Sequence, residues 1–391
     1  MDEVLRDIHA RTALQQPDWP DRGKVEQVRD ALAAGPALVR ARDLAVLRAG
    51  LARVAAGEAV VVQAGDCAED PGESTAMDVS RKAALLDVLA GTLRMNAHKP
   101  VIRVGRIAGQ FAKPRSSPTE SVAGSPLPTF RGHMVNGPEP DPEARRPDPL
   151  RMLACHAAAG GIARHLGWQQ DAPLRDPLGP PVWTSHEALL LDYEIPMLRR
   201  DEDGALFLGS THWPWIGERT RQLEGAHVAL LAAVSNPVSC KVGPTMTPAE
   251  LLALCRRLDP GRTPGRLTLI SRMGADLVLE RLPRLVEAVR GAGHPVIWLT
   301  DPMHGNTVAA PDGNKTRHVE TVSNEIRGFQ EAVTGAGGVC GGLHLETTPD
   351  DVTECVSCQA DLDHVGNKYT TFCDPRLNPG QAVAVVSAWK V

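Results

Sequence analysis

The sequence predicts a (β/α)8 barrel, the TIM fold, with an N-terminal helical extension. Three observations predict it. Strand-like and helix-like stretches alternate along the whole chain, the pattern of a parallel α/β fold. Eight such units can be counted, which favours a closed barrel over an open sheet. No G-x-G-x-x-G follows the first strand, which weakens the dinucleotide-binding alternative. The clearest unit is PVIWLTDPMHGN, residues 295–306, where the apolar run Val296–Thr300 stops at Asp301, His304 and Asn306. The C-terminal ends of barrel strands are where catalytic residues and metal ligands sit. The organisation read from this is a helical extension over residues 1–57 and a catalytic barrel over 58–391.

Composition bounds the function. The chain of 391 residues is 42% hydrophobic and 23% charged, as in a globular enzyme and far from disorder. A net charge of -5 argues against a nucleic-acid-binding surface. No apolar run is long enough to span a membrane, and the acidic, polar start MDEVLRDIHARTALQQ is unlike a signal peptide, so a cytoplasmic protein is expected. Eight irregularly spaced cysteines do not read as a disulfide framework. Cys355 and Cys358 form one CxxC, but without a second pair they read as ordinary thiols rather than a zinc site.

Taken in order, residues 1–56 carry apolar residues at helical spacing, with Asp43 a candidate cap, and read as a lid or arm outside the barrel. Val60–Ala64 is the first strand, ending in Gly65, Asp66 and Cys67, and 79–96 is an amphipathic helix. PVIRVGRIAGQFAKPRSS, 100–117, gives the second strand and a basic loop with Arg103, Arg106, Lys113 and Arg115. Residues 118–150 are rich in Pro and Gly and read as a long irregular loop, followed by a helix over about 149–166. PVWTSHEA, 181–188, is a weak third strand with EALLLDYEIPMLRR as its helix. ALFLGSTHWPWIGERT, 205–220, supplies the fourth strand and a polar mouth with Glu218 and Arg219.

NPVSCKVGP, 236–244, is the fifth strand, ending in Lys241. Its helix, Thr247–Arg257, has Thr247 as N-cap and Pro248 at the first helical position. RLTLISRMG, 266–274, is the sixth strand, ending in Arg272, with a helix over 275–291. The seventh is the 295–306 unit, with a helix over 318–333. GGVCGGLHLETT, 337–348, contains the eighth strand with His344 and Glu346, and Cys373, Asp374 and Arg376 precede a last helix.

Two sets of polar residues gather at these strand ends. Cys67, His304, Glu346 and Asp374 offer a thiolate, an imidazole and two carboxylates, a mixed set suited to Mn2+, Co2+, Fe2+ or Zn2+ rather than Ca2+. No local spacing ties them together, so the set depends on the barrel placement. Taken singly, Cys67 reads as a small buried hydrophobe and His304 as a hydrogen-bonded loop histidine. Arg106, Lys113, Arg219, Lys241 and Arg272 form the second set. One strand-end Arg usually makes a structural ion pair, but five cations sharing a cleft need anions to neutralise them. A Lewis-acid metal beside an anion cradle fits carbon–carbon bond chemistry on phosphorylated substrates, phosphoryl transfer or metal-assisted hydrolysis.

The motifs GDCAED, RIAGQFAKPRS, SHEALLLDYE, WIGERTRQLEGAH, NPVSCKVGP, TLISRMG, DPMHGNT, KTRH and CDPRLN follow one another in this order. Together they resemble the type II (plant-like) 3-deoxy-D-arabino-heptulosonate 7-phosphate (DAHP) synthases, from about residue 58 to the C-terminus. The resemblance implies a barrel that condenses phosphoenolpyruvate with erythrose 4-phosphate, the first step of the shikimate pathway. It implies a divalent metal, Mn2+ or Co2+, on Cys67, His304, Glu346 and Asp374. It assigns phosphoenolpyruvate to Arg106, Glu218, Lys241 and Arg272, and erythrose 4-phosphate to Lys113, Ser116 and Arg219. Glu218 and Lys241 become the groups that handle water and protons, with Asp301 and Asn306 holding the His304 loop.

The sequence departs from longer members in a short N-terminal part and in the short LGWQQDAPLRDPLGPPVWT after His165. The regulatory elements of those members fall there, so weak or absent inhibition by aromatic amino acids is expected; inhibition at micromolar amino acid would overturn it. A place in aromatic antibiotic biosynthesis, a homodimer and a chorismate mutase partner are further expectations. RGHMVNG replaces the RGD of longer members, so His133 is expected to alter the loop over the site. Cys373 is expected near enough to Cys67 to form a disulfide when metal is absent. Two other readings are a related synthase for a modified, such as aminated, tetrose phosphate, and a non-catalytic scaffold or regulator of another pathway enzyme.

Overall fold

The computed structural model describes residues 2–122, 125–168 and 180–390. Its centre is a closed barrel of parallel strands: β1 (Val60–Gly65), β2 (Val101–Arg106), β3 (Trp183–Glu187), β4 (Trp213–Ile216), β5 (Val238–Val242), β6 (Leu267–Ser271), β7 (Ile297–Thr300) and β8 (Cys340–Glu346). Each strand pairs with its neighbours in sequence, and β8 closes on β1 with Val62 opposite Leu343 and Gly65 opposite Glu346. The closure requires glycine at 342. Its φ of 138° is open only to glycine, and a Cβ there would lie 1.9 Å from the Val61 carbonyl oxygen.

Three helices precede the barrel, α1 (Asp2–His9), α2 (Arg22–Ala34) and α3 (Ala41–Ala55). Outside the strands lie α4 (Ala76–Ala97), α5 (Leu150–His165), the short α6 (Leu191–Glu194), α7 (Ala226–Ala233), α8 (Pro248–Leu258), α9 (Val278–Gly291), α10 (Val319–Gly335) and α11 (Pro379–Val386). Their starts are written locally. Thr75 with Asp78, Thr247 with Glu250 and Asn378 with Gln381 form reciprocal capping boxes for α4, α8 and α11, and Pro248 and Pro379 take the first helical positions. No helix among the described residues is long and apolar enough to cross a membrane.

Several expectations are corrected. The third N-terminal helix is not a lid or arm outside the barrel. Leu47, Leu51 and Val54 of α3 join Val61, Val104, Ile270, Ile297 and Leu299 in one buried cluster, so α3 plugs the floor of the barrel. Asp43 does not cap that helix: Arg40 holds the N-cap position and Asp43 lies in the first turn. The fourth barrel strand falls within the expected stretch 205–220 but takes only its Trp213–Ile216 part, while the apolar run 206–208 pairs antiparallel with Leu198–Arg200 in a hairpin outside the barrel. That hairpin also ends the helix expected after strand three, leaving only Leu191–Glu194 and one tight turn to Met197. The loop 118–150 carries a hairpin of its own, Thr119–Val122 with Ser125–Pro128. Most of the shortened segment after His165 lies outside the described residues.

A candidate active site at the C-terminal mouth

Every residue of both polar sets is delivered to the same end of the barrel. A cleft of about 320 Å3 opens there, lined by Arg106, Lys113, Ser116, Glu218, Arg219, Lys241, Arg272, His304 and Asp374. Cys67 and Glu346 lie fully buried behind that lining. The loop after β2 is shaped by Glu69, a buried carboxylate that accepts the N–H groups of Ala108, Gly109 and Gln110 at 2.6–2.9 Å. Those bonds hold Ala108 at φ 66°, a cost met by the three charge-assisted contacts. A Cβ on Gly109 would strike the His186 ring at 2.0 Å, so this loop packs against the barrel only as glycine.

The acidic and thiol ligands converge. The Cys67 thiol, Glu346 and Asp374 present ligand atoms all within 4.8 Å of one another. His304 Nε2 lies 3.8 Å from Glu346 Oε1, outside that tighter triangle but facing it. Its Nδ1 is 2.8 Å from Asp301 Oδ2, and Asp301 Oδ1 also accepts the Met303 and His304 N–H groups. Burial keeps this imidazole below the usual histidine range. A neutral ring that donates from Nδ1 to Asp301 leaves the Nε2 lone pair free for a cation. Burial opposes ionisation of Glu346 too, but His304 when protonated, with Arg317, Arg106 and Lys113, overcomes it and holds its carboxyl down to about 2. The thiol and two ionised carboxylates within this span, with the imidazole facing them, fit a divalent ion. Asn306 bridges the loops after β6 and β7, accepting from Ala275 N and donating to Glu325 on α10.

The cations split by environment. Arg106 is buried, 2.9 Å from His344 Nε2 and 3.1 Å from Glu346, with its guanidinium 5.4 Å over the Trp215 ring. Arginine only donates, so His344 accepts at Nε2 and donates from Nδ1 to Gln63 Oε1 at 2.7 Å; Gln63 in turn donates to Ser185 at 2.9 Å. This chain of buried side chains fixes Arg106 from below. Lys241 pairs with Asp301, and burial still lowers its ammonium to about 8. Lys113 lies 3.9 Å from both Glu346 and Asp374, and with Cys67 these groups hold it charged despite burial. Arg219 donates to Ser116 Oγ at 2.6 Å. Among the described residues no carboxylate pairs with Arg219 or Arg272.

Three lining residues escaped the sequence reading. Glu187, at the end of β3, is buried with Oε1 unpartnered, and desolvation raises its carboxyl despite the facing cations. Lys315 reaches in from a small hairpin after β7 and meets Asp374 at 2.8 Å. His344 was visible in strand eight but carried no assigned role. The Cys67 thiol donates to Asp374 Oδ2 at 3.6 Å, Arg115 Nη1 approaches Cys373 Sγ at 3.5 Å, and the facing Cys67 holds the Cys373 thiol below the usual thiol range. His133 is buried edge-on against Phe372 at 4.7 Å and Phe130 at 5.3 Å, so it packs beside the Cys373–Asp374 segment.

A barrel mouth that gathers a thiol, an imidazole and two carboxylates beside guanidinium groups without carboxylate partners suits an enzyme acting on anionic substrates. The family follows from comparison: the class-II DAHP synthetase family matches residues 4–172 and 178–389, and the chain belongs to that family. It is 59% identical to a probable phospho-2-dehydro-3-deoxyheptonate aldolase from Pseudomonas fluorescens, over 100% of this chain and 98% of the relative. It is 42% identical to a phospho-2-dehydro-3-deoxyheptonate aldolase from Streptomyces coelicolor, over 95% of this chain and 93% of that one. A phospho-2-dehydro-3-deoxyheptonate aldolase structure from Francisella tularensis shares the fold, with a TM-score of 0.53 at 12% identity over 94% and 96% of the two chains.

Proposed function

We propose the following division of labour in the condensation of phosphoenolpyruvate with erythrose 4-phosphate that this DAHP synthase carries out. Arg106, Lys241 and Arg272 hold the carboxylate and phosphate of phosphoenolpyruvate, with Glu218 beside them. Lys113, Ser116 and Arg219 take the phosphate of the aldose, and Lys315 borders the same end. The observation that carries this reading is the pair of guanidiniums, Arg219 and Arg272, that line the cleft without a carboxylate partner. A guanidinium so placed fits a phosphate or carboxylate bidentately.

Cys67, His304, Glu346 and Asp374 would hold the divalent ion, Mn2+ or Co2+, which when bound polarises the aldehyde oxygen of the aldose. Phosphoenolpyruvate C3 forms the new bond to the aldehyde carbon, whose oxygen takes up a proton. Positive charge then develops at C2, and water adds there with loss of a proton. The C2–oxygen bond to phosphate breaks, releasing phosphate and leaving the keto group. Lys241 lies at about 8 and is suited to passing a proton near neutrality. Glu218 Oε2 and Glu187 Oε1 are buried and unpartnered, and both would orient that water. The rest is positioning of two anionic substrates in register.

The direct test offers the metal-loaded enzyme phosphoenolpyruvate with a panel of aldose phosphates. Stoichiometric phosphate release with erythrose 4-phosphate is the expected result, and preference for an aminated tetrose phosphate would overturn it. The Cys67 thiol bonds to Asp374, the residue next to Cys373, and lowers the Cys373 thiol, which supports a disulfide between the two in metal-free enzyme under oxidant. Identical metal loading of Cys373→Ser and the parent chain after mild oxidation and reduction would contradict that.

A further inference from the structure

The stretch between α1 and α2 runs over the mouth of the barrel. The Ala226 N–H at the start of α7 donates to Thr12 O at 3.0 Å, and Arg11 pairs with Glu224 at 2.7 Å. Gln16 is anchored on the loop after β3, donating to Leu189 O and accepting from Leu191 N, each at 2.9 Å. Between these anchors Gln15 adopts φ 63°, a left-handed conformation that a residue with a Cβ takes only when its surroundings impose it.

What imposes it is the loop after β2. Gln15 Oε1 accepts the Arg115 N–H at 2.8 Å, and Arg131 Nη2 donates to Gln15 O at 3.0 Å and reaches Oε1 at 3.5 Å. The backbone oxygen of Arg131 in turn accepts the Lys113 N–H at 2.8 Å. Arg131 and Gln15 therefore clasp the backbone of residues 113–115 from outside, one bond at each end. The next residue is Ser116, bonded to Arg219. Arg106, Lys241 and Arg272 stand on or directly after β2, β5 and β6, and none is bonded to Gln15.

We propose that Gln15 is a positioning residue for the aldose-phosphate half of the site. Its left-handed backbone turns the side-chain amide onto Arg115 N and sets the loop that presents Lys113 and Ser116 to the phosphate. The proposal rests on the reading that Lys113, Ser116 and Arg219 take that phosphate. It gives the segment between α1 and α2 a part in substrate selection.

The test measures KM for both substrates, kcat and melting temperature in metal-loaded Gln15→Asn, Gln15→Glu and Ser116→Ala. Asn accepts the left-handed backbone but is one methylene short of Arg115. Glu keeps both the length and the acceptor. Gln15→Asn is expected to raise KM for erythrose 4-phosphate about tenfold, the scale of one lost hydrogen bond. KM for phosphoenolpyruvate and the melting temperature should hold, and Gln15→Glu should stay near the parent. An unchanged aldose KM in Gln15→Asn, with Ser116→Ala raising it, overturns the role of Gln15 alone. A rise in both KM values with a lower melting temperature also overturns it, as general loosening. An unchanged aldose KM in Ser116→Ala overturns the phosphate-subsite reading and takes the proposal with it.

Discussion

Asp301 is fully buried yet carries two obligations, pairing with the Lys241 ammonium and with His304 Nδ1. Burial opposes its charge, but His304 and Lys241 hold the carboxyl well below the usual carboxylate range. Asp301→Asn keeps the shape and removes the charge, so metal affinity should fall about 10–100-fold, as for other partners behind a metal ligand. Competition with a chelating dye measures this, and unchanged affinity would exclude Asp301 from the site's support. Lys241 supplies a pH signature. Burial lowers its ammonium to about 8, so the cation is present below that pH and lost above it. Affinity for phosphoenolpyruvate should therefore fall as pH rises through about 8, and Lys241→Arg should carry that limb upward. A flat profile of kcat/KM for phosphoenolpyruvate from pH 7 to 9 would count against a charged Lys241. The residue types at strand ends were legible because ionic groups closing an apolar run are unusual. Lys315 opens the motif KTRH but carried no role, because it sits on a hairpin well past the end of β7 and no periodic pattern marks it. Glu187 was printed in SHEA, but a single acidic residue ending a weak strand does not announce that its oxygen is buried and unpaired.

At the scale of elements, the barrel helices with reciprocal caps were readable to within a few residues, because their start signals are local. The fourth strand was readable only as lying somewhere within residues 205–220. The run ALFLG has the apolar look of a barrel strand, whereas the true strand is four residues long and contains Pro214, which has no N–H for a ladder. Only tertiary pairing decides between them. The third N-terminal helix shows the same limit: its amphipathic spacing gives a helix but not the partner of its apolar face. That partner is the barrel floor, so Leu51→Ala should cost about 2–5 kcal/mol, the range for truncating a fully buried leucine. Urea unfolding measures it. A loss under about 0.5 kcal/mol, the scale of surface changes, would mean that α3 is a detachable arm.

Across the whole molecule, the fold's work is to bring together Cys67, Glu346 and Asp374, with His304 facing Glu346, from four separate loops or strand ends. No spacing in the sequence links them, and the barrel alone makes them neighbours. The sequence resemblance assigns their roles, and His304 and Asp374 line the same cleft as Arg219 and Arg272, with Cys67 and Glu346 buried behind it. The most direct test of that arrangement strips the enzyme of metal with a chelator and titrates Mn2+ back, following phosphoenolpyruvate consumption with erythrose 4-phosphate. Activity should vanish on chelation and return as one equivalent of Mn2+ per chain binds, and Cys67→Ala should neither bind that equivalent tightly nor recover. Full turnover in the chelated enzyme, or in Cys67→Ala with no bound metal, would contradict the account.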